Sequence, residues 1–353
     1  MFTAGFENES FQFISQIRNL DISTCKIQQI NQGALTMLKN ITYLDVSNNT
    51  CLKFEGLENI TSDLQFSNIK ILKANNLHKI SDLTKVLKKT SHIKDLKNTS
   101  LEYAFVDGNR LQTIEKTAIS YLPKSLKFVS LRGNPLKFGL YIFEVFLLVN
   151  LETADVSDLF RHKTDLHPEN AFSDSIYTCK EDSVIAPKYM DPSDVDYIYV
   201  HDESSERDIP DLFSPAVVPI PNNLKHVNYS SASLRMDIPK SKLSGNKLEM
   251  IDFSNNILYA LNGPIYNVES LKILNVSTNF CSNISKFFFS SDFKNLEHLN
   301  FHNNLLGIVL PDDIDGEIFH NLESLIELVL SKNRIPNLPR IYSNHKEICK
   351  NLI

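Results

Sequence analysis

The feature that most constrains this chain is an internal period. Ten segments place apolar side chains at offsets 0, 3 and 5 from a common start, and most add asparagine at offset 8 and another apolar residue at offset 10. The clearest copy is Leu248, Ile251, Phe253, Asn256 and Leu258. The same frame begins at Leu271, Leu296 and Leu325 downstream, and at Ile41, Leu101 and Leu126 upstream. These seven copies hold Asn49, Asn109, Asn134, Asn256, Asn279, Asn304 and Asn333 at one phase. Ile17 opens a copy with Cys25 at the asparagine position, weaker copies start at Leu151 and Leu224, and a compressed one surrounds Ile69 to Ile80. Where no insertion intervenes, neighbouring starts lie 23 to 29 residues apart.

Offsets 3 and 5 straddle one outward residue, so a short strand buries both side chains on one face. The chain then turns, and the asparagine amide satisfies backbone groups that the turn leaves unpaired inside the stack. One coil cannot bury its own apolar face, so stability comes from stacking neighbours. Phenylalanine ahead of a start, as in Phe293 before Leu296 and Phe319 before Leu322, reads as a core filler on the convex side. The expected fold is an α/β leucine-rich-repeat solenoid, a horseshoe with a parallel β-sheet on its concave face.

The period breaks once. From Leu151 to Leu224 the distance is 73 residues, and Phe160 to Asn222 holds seven of the fourteen prolines and no glycine. Within it, Glu181 to Asp211 carries ten carboxylates against Lys188 and Arg207, a composition unsuited to a core. The expected organisation is residues 1–159 as an N-terminal repeat block, 160–222 as an acidic, proline-rich insertion, and 223–353 as a truncated C-terminal block. The first residues, Met1 to Glu7, lack a basic stretch followed by an apolar run, and Leu140 to Leu151 is too short to span a bilayer, so neither a secretory signal nor a membrane span is expected. A chain that stops at Ile353, where another repeat would begin, reads as part of a longer solenoid.

The stretch from Leu261 to Leu338 resembles the extracellular region of a Toll-like receptor. It contains Asn262-Gly263-Pro264-Ile265, Ser282-Asn283-Ile284-Ser285, Phe287-Phe288-Phe289, Gly316-Glu317-Ile318-Phe319 and Leu330-Ser331-Lys332-Asn333. The strands Leu44 to Ser47 and Ile251 to Ser254 fit as well. The resemblance implies a horseshoe ectodomain on the extracellular side of a membrane receptor. It would bind microbial or endogenous ligands, or a protein partner, and signal by forming homo- or heterodimers of receptor chains. A protein-interaction scaffold or a soluble decoy receptor is the alternative.

Catalysis is not expected: no nucleophile elbow surrounds the serines. His298 and His302 would stand roughly 13 Å apart on a strand, too far to share a metal. No metal or cofactor is expected. A net charge of −6 leaves no basic stripe in the sequence to neutralise phosphates, so no specific nucleic-acid signal is read. Ligand contact is expected on the outward strand positions, where Phe105, Asp107, Phe128, Arg132, His298 and His302 interrupt a polar face rich in aspartate, asparagine and serine. Asn-x-Ser/Thr acceptors occur at Asn8, Asn40, Asn48, Asn59, Asn98, Asn228, Asn275 and Asn283. Cys25, Cys51 and Cys281 read as buried thiols, leaving Cys179 and Cys349 without an assigned partner. Deleting Glu181 to Asp211 is expected to leave the far-ultraviolet circular dichroism of the solenoid intact, and loss of that signal would make the insertion structural.

Overall fold

Each copy of the period becomes one three-residue strand. In the computed structural model the described residues are 5–8, 10–78, 86–88, 93–115, 118–136, 144–158 and 215–339. Among them, eleven strands form a single sheet in chain order. They are Asn19–Asp21, Tyr43–Asp45, Ile71–Lys73, Tyr103–Phe105, Phe128–Ser130, Thr153–Asp155, His226–Asn228, Met250–Asp252, Ile273–Asn275, His298–Asn300 and Glu327–Val329. All pairings are parallel and in phase: Leu20, Leu44, Leu72, Ala104, Val129 and Ala154 lie side by side, followed by Val227, Ile251, Leu274, Leu299 and Leu328. This is the offset 3 residue of every coil. The copies at Ile69, Leu151 and Leu224 therefore keep the common frame, and Thr153–Asp155 pairs with His226–Asn228 across the insertion without loss of register.

The second rows of the solenoid differ along its length. Downstream they are strands: Ala216–Val218, Ser241–Leu243 and Ile265–Tyr266 form one parallel sheet, and Arg235–Ile238, Ile257–Leu261 and Asn283–Ile284 another. Upstream two short parallel pairs, Gly5–Phe6 with Gln29–Ile30 and Val86–Lys88 with Leu111–Ile114, accompany short 3-10 turns and one α-helix, Leu57–Leu64. The expected insertion reaches residue 222, yet Ala216–Val218 pairs in the stack and Ile220 is buried. Residues 215–222 thus belong to a coil, while residues 160–214, and Cys179 with them, lie outside the described residues. So do residues 340–353 and Cys349. Among the described residues no helix is long and apolar enough to cross a membrane.

The seven phased asparagines are all buried. Each amide ties two coils. Asn49 donates through Nδ2 to the carbonyls of Val46 at 2.8 Å and Ile22 at 2.9 Å, and its Oδ1 accepts from the Ile27 N–H at 3.0 Å. Asn134, Asn279, Asn304 and Asn333 repeat that scheme one coil at a time. The turn that delivers the amide is left-handed in every coil. The residue at offset 7 has positive φ throughout, from Thr24 and Asn48 through Gly108 and Gly133 to Asn255, Thr278, Asn303 and Lys332. Asparagine and glycine enter that region most easily, and Asn48, Asn76, Asn255, Asn303, Gly108 and Gly133 occupy it here.

The cysteines depart from the expectation of three buried thiols. Cys281 is buried, and burial pushes its thiol up to about 12. Cys25 is exposed, because its coil supplies the edge strand of the sheet and no described asparagine position precedes it. Cys51 is disulfide-bonded.

Asn256 receives the N–H groups of Ala232 and Leu234, both at 2.9 Å, and donates to the carbonyls of Tyr229 and Phe253. Asn256→Leu should therefore lower unfolding stability by about 1–3 kcal/mol through unpaired buried backbone groups. Denaturant melts check this, and an unchanged midpoint would show that the amide contributes nothing.

Candidate concave binding surface

Two residues of each strand face outward, at offsets 2 and 4, on either side of the buried central one. Offset 4 is mostly occupied by a structural device. Asp21, Asp45, Asp155, Asn228, Asp252, Asn275 and Asn300 each accept the backbone N–H two residues on, at 2.8–3.1 Å. These side chains close an Asx turn that leads into the left-handed residue. Hydrogen bonding to Ser23 accordingly holds the Asp21 carboxyl below the usual range.

Three neighbouring strands lack that device, and there the outward face changes character. Their offset 4 residues are Lys73, Phe105 and Ser130. Side chains at offset 6 take over the turn from one coil to the next. Ser47 Oγ accepts the Asn75 N–H at 3.1 Å, Asn75 Oδ1 accepts the Asp107 N–H at 2.7 Å, and Asp107 Oδ1 accepts the Arg132 N–H at 3.0 Å. This relay frees offset 4 for other side chains. Asp107 also accepts from the Ser130 hydroxyl, and burial pushes its carboxyl up despite those bonds. Asp107 is thus built into the scaffold, whereas Phe105 is not.

The freed positions gather an aromatic and cationic row. Lys73 Nζ stands 5.4 Å from the centre of the Tyr43 ring and 5.6 Å from that of Phe105. Phe105 packs on Phe128 at 4.8 Å between centroids, and Tyr103 stacks on Phe128 at 6.4 Å. Tyr103 is 37% exposed, and the others are half-buried. Four strands thus present a continuous surface of rings around one ammonium group, an arrangement suited to planar, apolar or π-bearing groups. On its flank Glu102 bridges Lys70 and Lys127, each at 2.8 Å, and Arg132 pairs with Asp158 at 2.7 Å. This face carries the cations Lys70, Lys73, Lys127 and Arg132 beside the carboxylates of Asp45, Glu102, Asp107 and Asp158.

The six sequence candidates fall into separate places. Phe105 and Phe128 meet, Asp107 and Arg132 adjoin them, and His298 and His302 lie near the other end of the sheet. There His298 Nδ1 is 3.2 Å from Glu327 and His302 Nδ1 is 2.6 Å from Ser331 Oγ. Tyr43, Lys73 and Tyr103 are the members that sequence reasoning missed. Tyr43 and Tyr103 stand at offset 2, whose outward parity was available in the repeat but was not read as a column. Among the described residues no three His, Cys, Asp or Glu side chains gather as a metal ion would need. Of the glycan acceptors, Asn8, Asn40, Asn48, Asn98 and Asn283 are exposed. Asn59, Asn228 and Asn275 are half-buried, and their amides are hydrogen-bonded to the fold.

No family model matches the chain. A Toll-like receptor 4 of Pinctada imbricata is 32% identical to it over 375 aligned residues, covering 97% of the chain. The chain spans 39% of that relative's length. Among solved structures, the Toll–Spätzle complex from Drosophila aligns with 88% of this chain and 37% of its own, at a TM-score of 0.46 and 14% identity. A complex of TLR13 with ssRNA13 aligns with 98% of this chain and 52% of its own, at a TM-score of 0.40 and 14% identity.

The Glu102 bridge makes a pH-dependent prediction. Hydrogen bonds from Lys127 and then Lys70 hold the Glu102 carboxyl below its ordinary value. A lowered carboxyl binds its proton more weakly in the folded state, so the bridge stabilises fully above the unfolded value, about 4.3, and the gain disappears as pH falls through the folded one. Glu102→Gln should cost up to about 1 kcal/mol near neutral pH and nothing in strong acid. The raised Asp107 carboxyl acts in the opposite sense, losing its contribution as pH rises, so the comparison is between variant and wild type at each pH. An equal deficit at every pH would show that the substitution acts through packing.

Proposed function

The chain belongs to the Toll-like receptor family, and from that premise we propose that it is the ligand-recognition region of an innate immune receptor. It works by binding, without catalysis, on the extracellular side of a membrane. The row formed by Tyr43, Lys73, Tyr103, Phe105 and Phe128 is its contact surface, and dimerisation of receptor chains converts occupancy into a signal. Its ligand is microbial or endogenous, or a protein partner that presents planar or apolar side chains to the rings.

The disulfide at Cys51 carries this reading. Disulfides persist in oxidising compartments and are rare in the cytosol, so the bond favours a secreted domain over an intracellular scaffold. The exposed acceptors Asn98 and Asn283 agree with passage through the secretory pathway.

Two measurements test the proposal. When the chain is produced with a secretion leader, glycopeptide mapping should find Asn98 and Asn283 occupied and Cys51 oxidised; a reduced Cys51 and bare acceptors would favour the scaffold. In a receptor carrying this region on its outer side, the double variant Phe105→Ala, Phe128→Ala should weaken the response to an activating microbial extract at least tenfold while surface level stays constant. An unchanged response would move the contact surface elsewhere.

A further inference from the structure

One rim of the concave sheet carries a charge ladder that opens in its middle. The residue at offset 1 alternates between lysine and glutamate over eight coils, from Lys70 and Glu102 to Lys272 and Glu297. At its upstream end the ladder is closed, because Glu102 takes Lys70 and Lys127 at 2.8 Å each. Its last pair, Lys272 and Glu297, stands at 3.9 Å. Glu152 comes next after Lys127, whose ammonium is already spent on Glu102. Among the described residues the Glu152 carboxylate has neither an ion pair nor a hydrogen bond.

A cavity of about 200 Å³ lies at this opening, lined by Glu102, Ser125, Lys127, Asn150, Glu152 and Asn223. The repeat sets the lining. Glu102, Lys127 and Glu152 follow the start of their coils by one residue, and Ser125, Asn150 and Asn223 precede a start by one. The last three are each anchored to the fold through a single bond. Ser125 Oγ donates to the Leu101 carbonyl at 2.8 Å, Asn150 Nδ2 donates to the Lys124 carbonyl at 2.8 Å, and Asn223 Oδ1 accepts from Lys247 Nζ at 3.1 Å. Lone pairs of Ser125 Oγ and Asn150 Oδ1 are left to accept, and Asn223 Nδ2 is left to donate.

That inventory selects the guest. The lining is polar throughout, so a hydrocarbon gains nothing there. An anion would meet two carboxylates and a lysine already neutralised by Glu102. A neutral polyol suits the place: each hydroxyl both donates and accepts, so a set of them can replace the bonds of resident waters without adding charge. Two vicinal hydroxyls can donate to the two oxygens of one carboxylate, which is what Glu152 lacks. A cavity of about 150 Å³ takes one benzene, so this one admits one six-membered ring with its hydroxyls. It is smaller than the roughly 300–1,000 Å³ of sites for larger ligands, which limits it to one sugar unit.

We propose that this cavity binds a single neutral pyranose unit of a glycan, with vicinal hydroxyls on Glu152 and the others on Asn150, Asn223 and Ser125. The site uses none of the five residues of the ring row and goes beyond the function proposed above.

The test is saturation-transfer difference NMR on the purified full chain. The probes are methyl α-mannoside, methyl β-glucoside and methyl N-acetyl-β-glucosaminide, whose methoxyl resonances separate them from glycans on the chain. Saturable transfer is expected for at least one of them, and cyclohexanol, a ring of the same size with one hydroxyl, should give none. Competition by a mannose-terminated N-glycan assigns the source to a glycoprotein, and competition by a cell-wall β-glucan fragment assigns it to a microbial surface. Glu152→Gln should weaken binding roughly tenfold, the loss of one charge-assisted hydrogen bond, with the melting temperature unchanged because the carboxylate holds nothing in the fold. Asn223→Arg, which fills the cavity and pairs with Glu152, should abolish binding, and it serves if Glu152→Gln does not fold. Absence of transfer to every glycoside would overturn the proposal. So would undiminished binding by either folded variant, or binding of ethylammonium where no sugar binds, which would make Glu152 a cation site.

Discussion

Everything in this molecule depends on a side-chain amide that bonds to two coils at once. A leucine-rich coil turns sharply after its strand, which leaves carbonyls and an N–H facing inward where water cannot reach them. Asparagine at offset 8 brings two donors and an acceptor to that place: for Asn304 these meet the carbonyls of Phe301 and Val276 and the Cys281 N–H. Because two of these partners belong to the preceding coil, each amide fixes the stacking as well as the turn. Leucine could fill the same volume but would leave three backbone groups unpaired.

That constraint decides which residues are free to vary. The left-handed residue before the amide favours asparagine or glycine, and the Asx turn claims offset 4 for aspartate or asparagine. Much of the outward face is therefore engaged in holding the backbone. A different surface arises where another group closes the turn, and the Ser47, Asn75, Asp107 relay does so over three consecutive coils. Lys73 and Phe105 stand outward because Ser47 and Asn75 replaced the device that would have occupied their positions.

The fold was legible because its signals are local and periodic. Leu44 and Val46, or Leu274 and Val276, identify their burial by spacing alone, and the phased asparagines mark each turn. The binding surface was legible only in part. Phe105 stood out because it breaks the polar column at offset 4, whereas Phe128, at offset 2, was singled out as a ring on the same outward face. Asp107 stood out for the same reason, yet its role is to hold Arg132 and Ser130, and a departure from a pattern does not tell a scaffold relay from a contact. Tyr43 and Tyr103 were hidden because offset 2 varies in every copy, so no background set them apart. The fate of the cysteines was illegible for another reason: Cys25 and Cys51 occupy repeat positions, and neither exposure at a sheet edge nor disulfide bonding follows from the repeat itself.

The row of rings arises from a tolerance that the repeat itself provides. A repeat fold is stable when every coil fills its assigned positions, so a small number of coils can leave a position unfilled while their neighbours hold the register. On the concave side the unfilled position is a turn cap, and the neighbouring coil supplies the missing bond. A polar vacancy can be repaired by a side chain reaching across 5 Å from the next strand, the ordinary spacing within a sheet.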